Sequence, residues 1–378
     1  MTKQLNIVAP SFDSHLTELI MELNHLRRKK LGGSTNPLIF FQLKQIFHIM
    51  ESVGSARIEG NNTTIAEYVE NILEKDHHDE HESIKEIQNM ERALSYIEET
   101  IDERPISRIF ISEVHKILME GLSPEHEGDP TLGEYRTVNV TISKSLHTPP
   151  DFSAVSAQME ELITFINQET APQFDLLRVA LVHHRFVWIH PFRNGNGRSV
   201  RMLTYAMLVK MGFRVNQGRL INPTAVFFSN RDRYYENLMA ADTLADDGLL
   251  QWSEYLLEGL LDEINKVDRL ADYEYLKDEI LLPAIENAKQ RVAINENEYK
   301  VLKRAVLLQV IQAADVKEVT GITNSALATR LINKMKEAEL LMPLENRSRK
   351  YVIRFNGNKL FRSVFRALSE KGFVNYEN

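Results

Sequence analysis

The sequence predicts a mostly α-helical protein, interrupted by one short β-hairpin and closed by a C-terminal winged helix-turn-helix module. Three observations carry that expectation. Apolar residues recur at helical spacing through most of the chain, as in Leu16, Leu19, Ile20, Leu23 and Leu26. Strict alternation occurs at one place, where Val138, Val140 and Ile142 interleave with Asn139 and Thr141. The charge is also unevenly divided. Residues 294–378 carry 15 Lys+Arg against 9 Asp+Glu, or +6, whereas the rest of the chain carries 30 against 44, or −14. Such a split marks a C-terminal module with electrostatic partners of its own.

With 378 residues, the chain is long enough for two or three domains and a sizeable core. Its 43% hydrophobic and 26% charged residues are ordinary for a water-soluble globular protein. Cysteine is absent, which excludes disulfides, thiolate catalysis and cysteine zinc sites. No apolar run suggests a secretory leader or a membrane span, so a cytoplasmic protein without membrane partners is expected.

In chain order, residues 11–30 read as an amphipathic helix, residues 32–37 as a loop, and residues 38–58 as a second helix. That helix ends in Ser55-Ala-Arg-Ile-Glu59-Gly60-Asn61. Gly60 suits a left-handed cap, and Glu59 lies where the helix dipole disfavours an anion, which calls for a cationic partner from elsewhere. Asp76-His77-His78-Asp79-Glu80-His81 has zinc-binding residue types, but consecutive polar residues between helices read better as a solvated loop. Helices follow at 83–100 and 106–121, then the alternating stretch 138–142, then helices at 154–167 and 175–188. His183 and His184 on the last of these include at least one packed core histidine. A helix opens near Asn230 with Tyr234, Tyr235 and Asn237, another spans 249–267, and a linker helix covers 270–289. The C-terminal order is helix 298–312, a short helix ended by Gly321, helix 324–338 and two strands, which is that of a winged helix.

The stretch Trp188 to Arg201 is the richest in chemistry. It packs one histidine, two glycines, two asparagines and three arginines into a loop entering a helix. Pro191 fixes φ, Gly195 and Gly197 permit close backbone approach, and residues 199–211 contain no helix breaker before Gly212. Backbone N–H groups at such a helix start form an anion site. Arg198 and Arg201, three apart, share a helix face beside it and can fork onto phosphate oxygens. His190 stands at the entrance as a candidate general base. The pattern reads as a polyphosphate cradle with a base at its rim.

His190-Pro-Phe-Arg-Asn-Gly-Asn-Gly-Arg198-x-x-Arg201 resembles the signature of Fic-domain proteins, His-Pro-Phe-x-Asp/Glu-Gly-Asn-Gly-Arg-x-x-Arg. The resemblance implies a Fic-type helical bundle and transfer of AMP from ATP, with Mg²⁺, onto a Ser, Thr or Tyr hydroxyl of a target protein. It implies that His190 is the base, that Gly195, Asn196, Gly197 and Arg198 hold phosphates, and that Arg201 engages the terminal phosphate. One position departs: Asn194 stands where the family has a Mg²⁺-binding carboxylate, and a neutral amide oxygen binds the ion more weakly. Ser55, Glu59 and Gly60 match the family's inhibitory motif, which implies a Glu59–Arg201 pair that keeps the resting enzyme low; in some members this Glu also helps remove AMP. Val138, Asn139, Val140, Thr141 and Ile142 fall where the family has the flap that aligns the target, after Gly133-Glu-Tyr-Arg136 and before Pro149-Pro150. Tyr235 and Asn237 border the family's nucleotide pocket. The implied organisation is N-terminal helices with the inhibitory segment (1–105), a catalytic core (106–270), a linker helix (271–293) and the winged module (294–378). Asn324, Ser325, Thr329, Arg330 and Lys334 on the second helix of that module, with Arg347, Arg349 and Lys350 on its wing, suit contact with DNA; winged helices also serve as protein-interaction and homodimer modules. Asn194 leaves a second function open, a catalytically weak or inactive nucleotide-sensing regulator acting through the winged helix.

Overall fold

The computed structural model describes residues 4–28, 34–73, 81–142, 145–213, 221–346 and 348–374. Residues 76–80 of the acidic-histidine cluster, part of the 32–37 loop, residues 143 and 144, and Arg347 lie outside them. The first half runs α1 (His15–Arg28), α2 (Pro37–Phe40), α3 (Gln42–Glu59), α4 (Ile65–Leu73), α5 (Glu82–Thr100), α6 (Arg108–Met119), α7 (Phe152–Asn167), α8 (Asp175–Ile189) and α9 (Asn196–Lys210). Then come α10 (Pro223–Ser229), α11 (Arg231–Ala241), α12 (Asp246–Asp268), α13 (Tyr273–Tyr275) and α14 (Leu282–Gln290). The C-terminal part comprises α15 (Glu296–Leu308), α16 (Ala313–Thr320), α17 (Ser325–Glu337), strands β1 (Leu341–Pro343) and β2 (Tyr351–Ile353), and α18 (Phe361–Glu370). The expected mostly helical class is what the chain adopts, and its described residues contain one sheet, the antiparallel pair of β1 and β2 with Met342 opposite Val352.

Two apolar cores divide the molecule. One gathers α1, α5 to α9, α11 and α12, and the other gathers α2, α3, α4, α14 to α18 and the sheet. α9 lies at the centre of the first: from Asn196 to Val209 every residue except Gly197 is buried. A helix buried all round needs no amphipathic stripe, so its sequence reads without a clean helical period. Trp252 of α12 anchors on α8 by donating from Nε1 to the Ala180 carbonyl at 2.7 Å.

α3 belongs to the second core yet reaches the first. At its N-terminal end Gln42 donates to the Ile353 carbonyl (2.9 Å) and accepts from the Phe355 N–H (2.8 Å), clasping the chain after β2. In its middle the buried Glu51 accepts from the N–H and hydroxyl of Thr224 on α10. Its C-terminal turn carries Ser55 and Glu59, and Gly60 caps it with φ of 115°.

Several expectations are corrected. Residues 138–142 form no strand: Val138 lies in a bend, and the stretch has no ladder partner. Side chains tether this segment instead. Arg136 donates to the Val138 carbonyl, and Asn139 binds the start of α7 through Asp151 and the Phe152 N–H. Alternation reports only that opposite faces differ, and it cannot create a neighbouring strand. The linker helix is continuous from Tyr273 to Gln290 but carries a π-helical stretch at Leu276–Leu281 ahead of Pro283, which removes a helical donor. α4 and α18, not anticipated, cover the second core with Tyr68 and Val69, and with Phe361, Val364, Phe365 and Leu368.

Candidate active site

The signature loop is held in place by side chains on both flanks. α8 ends at His190, whose φ of 53° is left-handed, a strained conformation for a non-glycine residue. Arg136 secures that turn. Its guanidinium donates to the carbonyls of His190 (2.8 Å), Pro150 (2.6 Å), Val138 (3.0 Å) and Ile189 (3.3 Å), and its own N–H donates to Pro191 (2.8 Å). Gly195, also left-handed (φ 72°), starts α9, so the helix begins three residues earlier than the breaker-free run from Ser199 suggested.

Asn196 does not reach outward. Its amide accepts from the Phe192 N–H and donates to the Phe192 carbonyl, both at 2.9 Å. Its side chain therefore closes the loop. Asp129 stitches the same loop from outside. One carboxylate oxygen accepts from the N–H groups of Arg193 (3.1 Å) and Asn194 (2.9 Å). His115 stacks on Phe192 at 3.8 Å between centroids and hydrogen-bonds the Asn194 carbonyl.

His190 is half-buried, and its Nδ1 faces the Val187 carbonyl at 3.3 Å. A carbonyl only accepts, so Nδ1 carries the proton and Nε2 keeps a lone pair. Burial pushes the imidazole down to about 4, against the raising effect of that carbonyl. At neutral pH the ring is thus uncharged, the state a general base requires.

The two signature arginines are fully buried and already engaged. Arg201 donates from Nε to the Ser55 hydroxyl (2.6 Å), and from Nη2 to the Ser55 carbonyl (3.1 Å) and to Glu59 (2.6 Å). Burial raises the Glu59 carboxyl, but the Arg201 and Arg198 guanidiniums outweigh it and hold the group below the ordinary carboxylate range. Glu59 also overlies the helix start: a Cβ on Gly197 would stand 2.1 Å from its Oε1. The carboxylate therefore occupies the anion position of the cradle. Arg198 donates to Glu86 on α5 (2.8 Å) and to the carbonyl and carboxylate of Glu127 (2.8 and 3.0 Å). Asn61, just past Gly60, donates to the other oxygen of Glu86.

Asn194 places its amide nitrogen between the carbonyls of His126 (3.2 Å) and Gly128 (3.1 Å), while its oxygen accepts from the Gly195 N–H (2.7 Å). It offers a cation no charge. The nearby Asp129 and Glu127 carboxylates are committed to backbone N–H groups and to Arg198, and no metal-type cluster of His, Asp and Glu occurs among the described residues. The residues present do not fit a protein-built Mg²⁺ site. Tyr235 is partly exposed and packs under Arg231. Asn237 lies about 200° further round the helix; it binds the Arg233 carbonyl and Gln251 in a groove between α11 and α12 with Glu254 and Glu258, and is not brought to the cradle. Tyr234 is core, hydrogen-bonded with His183, which also binds Thr204. The partners Glu86, Glu127, Asp129 and Arg136 escaped sequence reasoning. The one available signal was a Glu beside the apolar stripe of α5.

Residues 105–208 match the family model of the Fic/DOC family. Proteins named protein adenylyltransferase Fic from Aedes aegypti and Culex quinquefasciatus are each 30% identical to the chain over 203 residues, covering 52% of it and 37% of the relative. The chain thus spans little more than a third of the length of these relatives. The fold is shared with a Fic family protein from Desulfovibrio desulfuricans G20, with a TM-score of 0.57 and 19% identity over 93% of this chain and 98% of that one. It is shared too with a Fic domain containing signaling protein from Bacteroides thetaiotaomicron, with a TM-score of 0.55 and 20% identity over 68% and 97%. The Fic/DOC match begins after α5, so Glu59 and Glu86 lie outside the matched segment while their arginine partners lie within it. No helix among the described residues is long and apolar enough to cross a membrane.

Proposed function

We propose that the chain is a protein adenylyltransferase that moves AMP from ATP to a Ser, Thr or Tyr hydroxyl of a target protein, and that Glu59 holds it in a low-activity state. The observation that carries this reading is the lone pair left on His190 Nε2 beside an anion cradle made by the start of α9. The target hydroxyl gives its proton to Nε2 as its oxygen attacks the α-phosphorus. The bond from that phosphorus to the bridging oxygen breaks, and pyrophosphate leaves with the electron pair. N–H groups at Asn196 and Gly197, at the start of α9, face the developing charge. Arg136 fixes the left-handed turn that aims the imidazole, and residues 138–142 border the entrance where a target segment would lie.

Inhibition follows from the position of Glu59. An anion against Gly197 and Arg201 repels a terminal phosphate and takes its guanidinium partner. Displacing Glu59 frees Arg201; retaining it near His190 leaves a carboxylate able to activate water, which suits removal of AMP. A second reading, a nucleotide-sensing regulator, is favoured by one observation: Asn194 and the doubly paired Arg198 make the phosphate site poor in free charge. The test is Glu59→Gly with ATP and Mg²⁺, read by intact mass, with Glu59→Gly/His190→Ala as control. One AMP added to the single variant and none to the double variant is expected. ATP binding by calorimetry without any modification would replace the enzyme by the regulator.

A further inference from the structure

We infer that the cavity between α3, α10, α12 and the chain after α18 is a binding site for a small apolar molecule that carries one negative charge. Its volume is about 390 Å³, within the range of small-molecule sites. On α3 it is lined by Met50, Val53, Gly54 and Arg57. These stand at positions i, i+3, i+4 and i+7, so they form one stripe of the helix. Ser55 and Glu59, which hold Arg201, lie on the opposite side at about 100° per residue. One side of α3 therefore faces the anion cradle and the other faces this cavity.

Gly54 permits the approach of α10: a Cβ there would stand 3.3 Å from Thr224 Cγ2 and 3.9 Å from Phe228. The cavity opens where the two cores meet. Met50, Val53, Ile65 and Phe373 belong to the second core, and Phe228 packs against the first. Junctions between packed units are where small-molecule sites preferentially form.

The charged part of the wall selects the ligand. Arg57, Glu263 and Lys266 line the cavity. Glu263 and Lys266 pair with each other at 3.1 Å. Arg57 stands over the Phe228 ring, 5.3 Å from its centroid, and among the described residues it neither pairs with an acid nor donates a hydrogen bond. A ring contact occupies the face of a guanidinium and leaves the N–H groups at its edge for an anion. The wall thus joins apolar side chains to one uncompensated positive charge. An inorganic anion would leave the apolar wall against water, and a neutral hydrocarbon would cover the guanidinium without giving it a partner. An apolar body bearing a carboxylate or sulfonate satisfies both.

The experiment is a fluorescence titration of the full chain with two dyes, anilinonaphthalene sulfonate and phenylnaphthylamine, the same ring system without the sulfonate. Saturable binding of one sulfonate dye per chain is expected. Arg57→Gln should weaken that dye about tenfold, the scale of one hydrogen bond to a charged group, and leave the neutral dye within about twofold. Ala225→Phe, which fills the cavity from α10, should remove both. Arg330→Gln, an exposed cation on α17, should change neither. Urea unfolding of each variant keeps loss of folding apart from loss of the site. Absence of saturable binding, equal weakening of both dyes by Arg57→Gln, or undiminished binding to Ala225→Phe would overturn the inference. Displacement of the dye by ATP would place it in the cradle and overturn it as well. No outcome depends on transfer of AMP, so the inference is tested apart from the transferase reading.

Discussion

Asn194→Asp restores the carboxylate that the Fic signature carries at this position, yet the structure predicts that it harms the loop. The amide nitrogen donates to two carbonyls, at 3.2 and 3.1 Å. A carboxylate cannot donate, so both bonds are lost, at about 0.5–1.5 kcal/mol each. The new charge also faces those two carbonyls and stands near Asp129, which already binds the N–H of the same residue. Two effects oppose the loss. The acceptor bond from the Gly195 N–H remains, and an anion near the start of α9 gains about 0.3–1 kcal/mol from the helix dipole. The two lost bonds sum to about 1–3 kcal/mol, and with the repulsion offsetting the dipole gain the net destabilisation stays at about 1–3 kcal/mol at neutral pH. Urea unfolding of both proteins measures it directly. The pH dependence supplies a check. Repulsion raises the introduced carboxyl above its unfolded value, so the deficit should be largest at about pH 7 and shrink as the pH falls toward about 4, where the protonated group can donate again. A variant as stable as the parent at neutral pH, or a deficit independent of pH, would refute the reading of Asn194 as a structural staple.

Two further outcomes follow from buried ionisable groups. Because burial holds His190 at about 4, the self-modification rate of Glu59→Gly at saturating ATP should stay level as pH falls from about 7 to about 5.5, where an ordinary histidine would already be protonated; a drop centred near 6.5 would contradict the assigned environment. Burial raises Glu51 to about 7, so the stability tied to its protonated form is complete below the unfolded carboxyl value and is lost as pH rises through about 7; Glu51→Gln should flatten that part of the pH–stability curve, and an unchanged slope would exclude Glu51 as its source.

α3 touches both the C-terminal part of the chain and the candidate site. α3 grips the chain after β2 through Gln42, grips α10 through Glu51, and lays Ser55 and Glu59 on Arg201. One rigid helix therefore joins the second core to the anion cradle. Asn61 extends the contact to Arg198 through Glu86, so both signature arginines sense the end of α3.

Much of this was legible in the sequence because it is local. The helices of the first core other than α9 announced themselves by apolar spacing, Gly60 and Gly195 by the left-handed turns they permit, and the cradle by two glycines followed by arginines three apart. The Glu59–Arg201 contact was also foreseen, by motif resemblance and not by spacing, since the partners are 142 residues apart. What tertiary structure alone decided is where polar side chains spend their bonds. Asn196 turns inward to Phe192, Asn194 bridges two carbonyls, Asn237 faces another groove, and Arg198 is taken by Glu86 and Glu127 from distant segments. The alternation at 138–142 likewise could not specify a partner strand, and the chain supplied Arg136 and Asn139 instead. Periodicity fixes which face of an element is apolar because the hydrophobic effect needs no particular partner. A hydrogen bond or an ion pair needs one atom at one distance and angle, and only the folded chain brings that atom there.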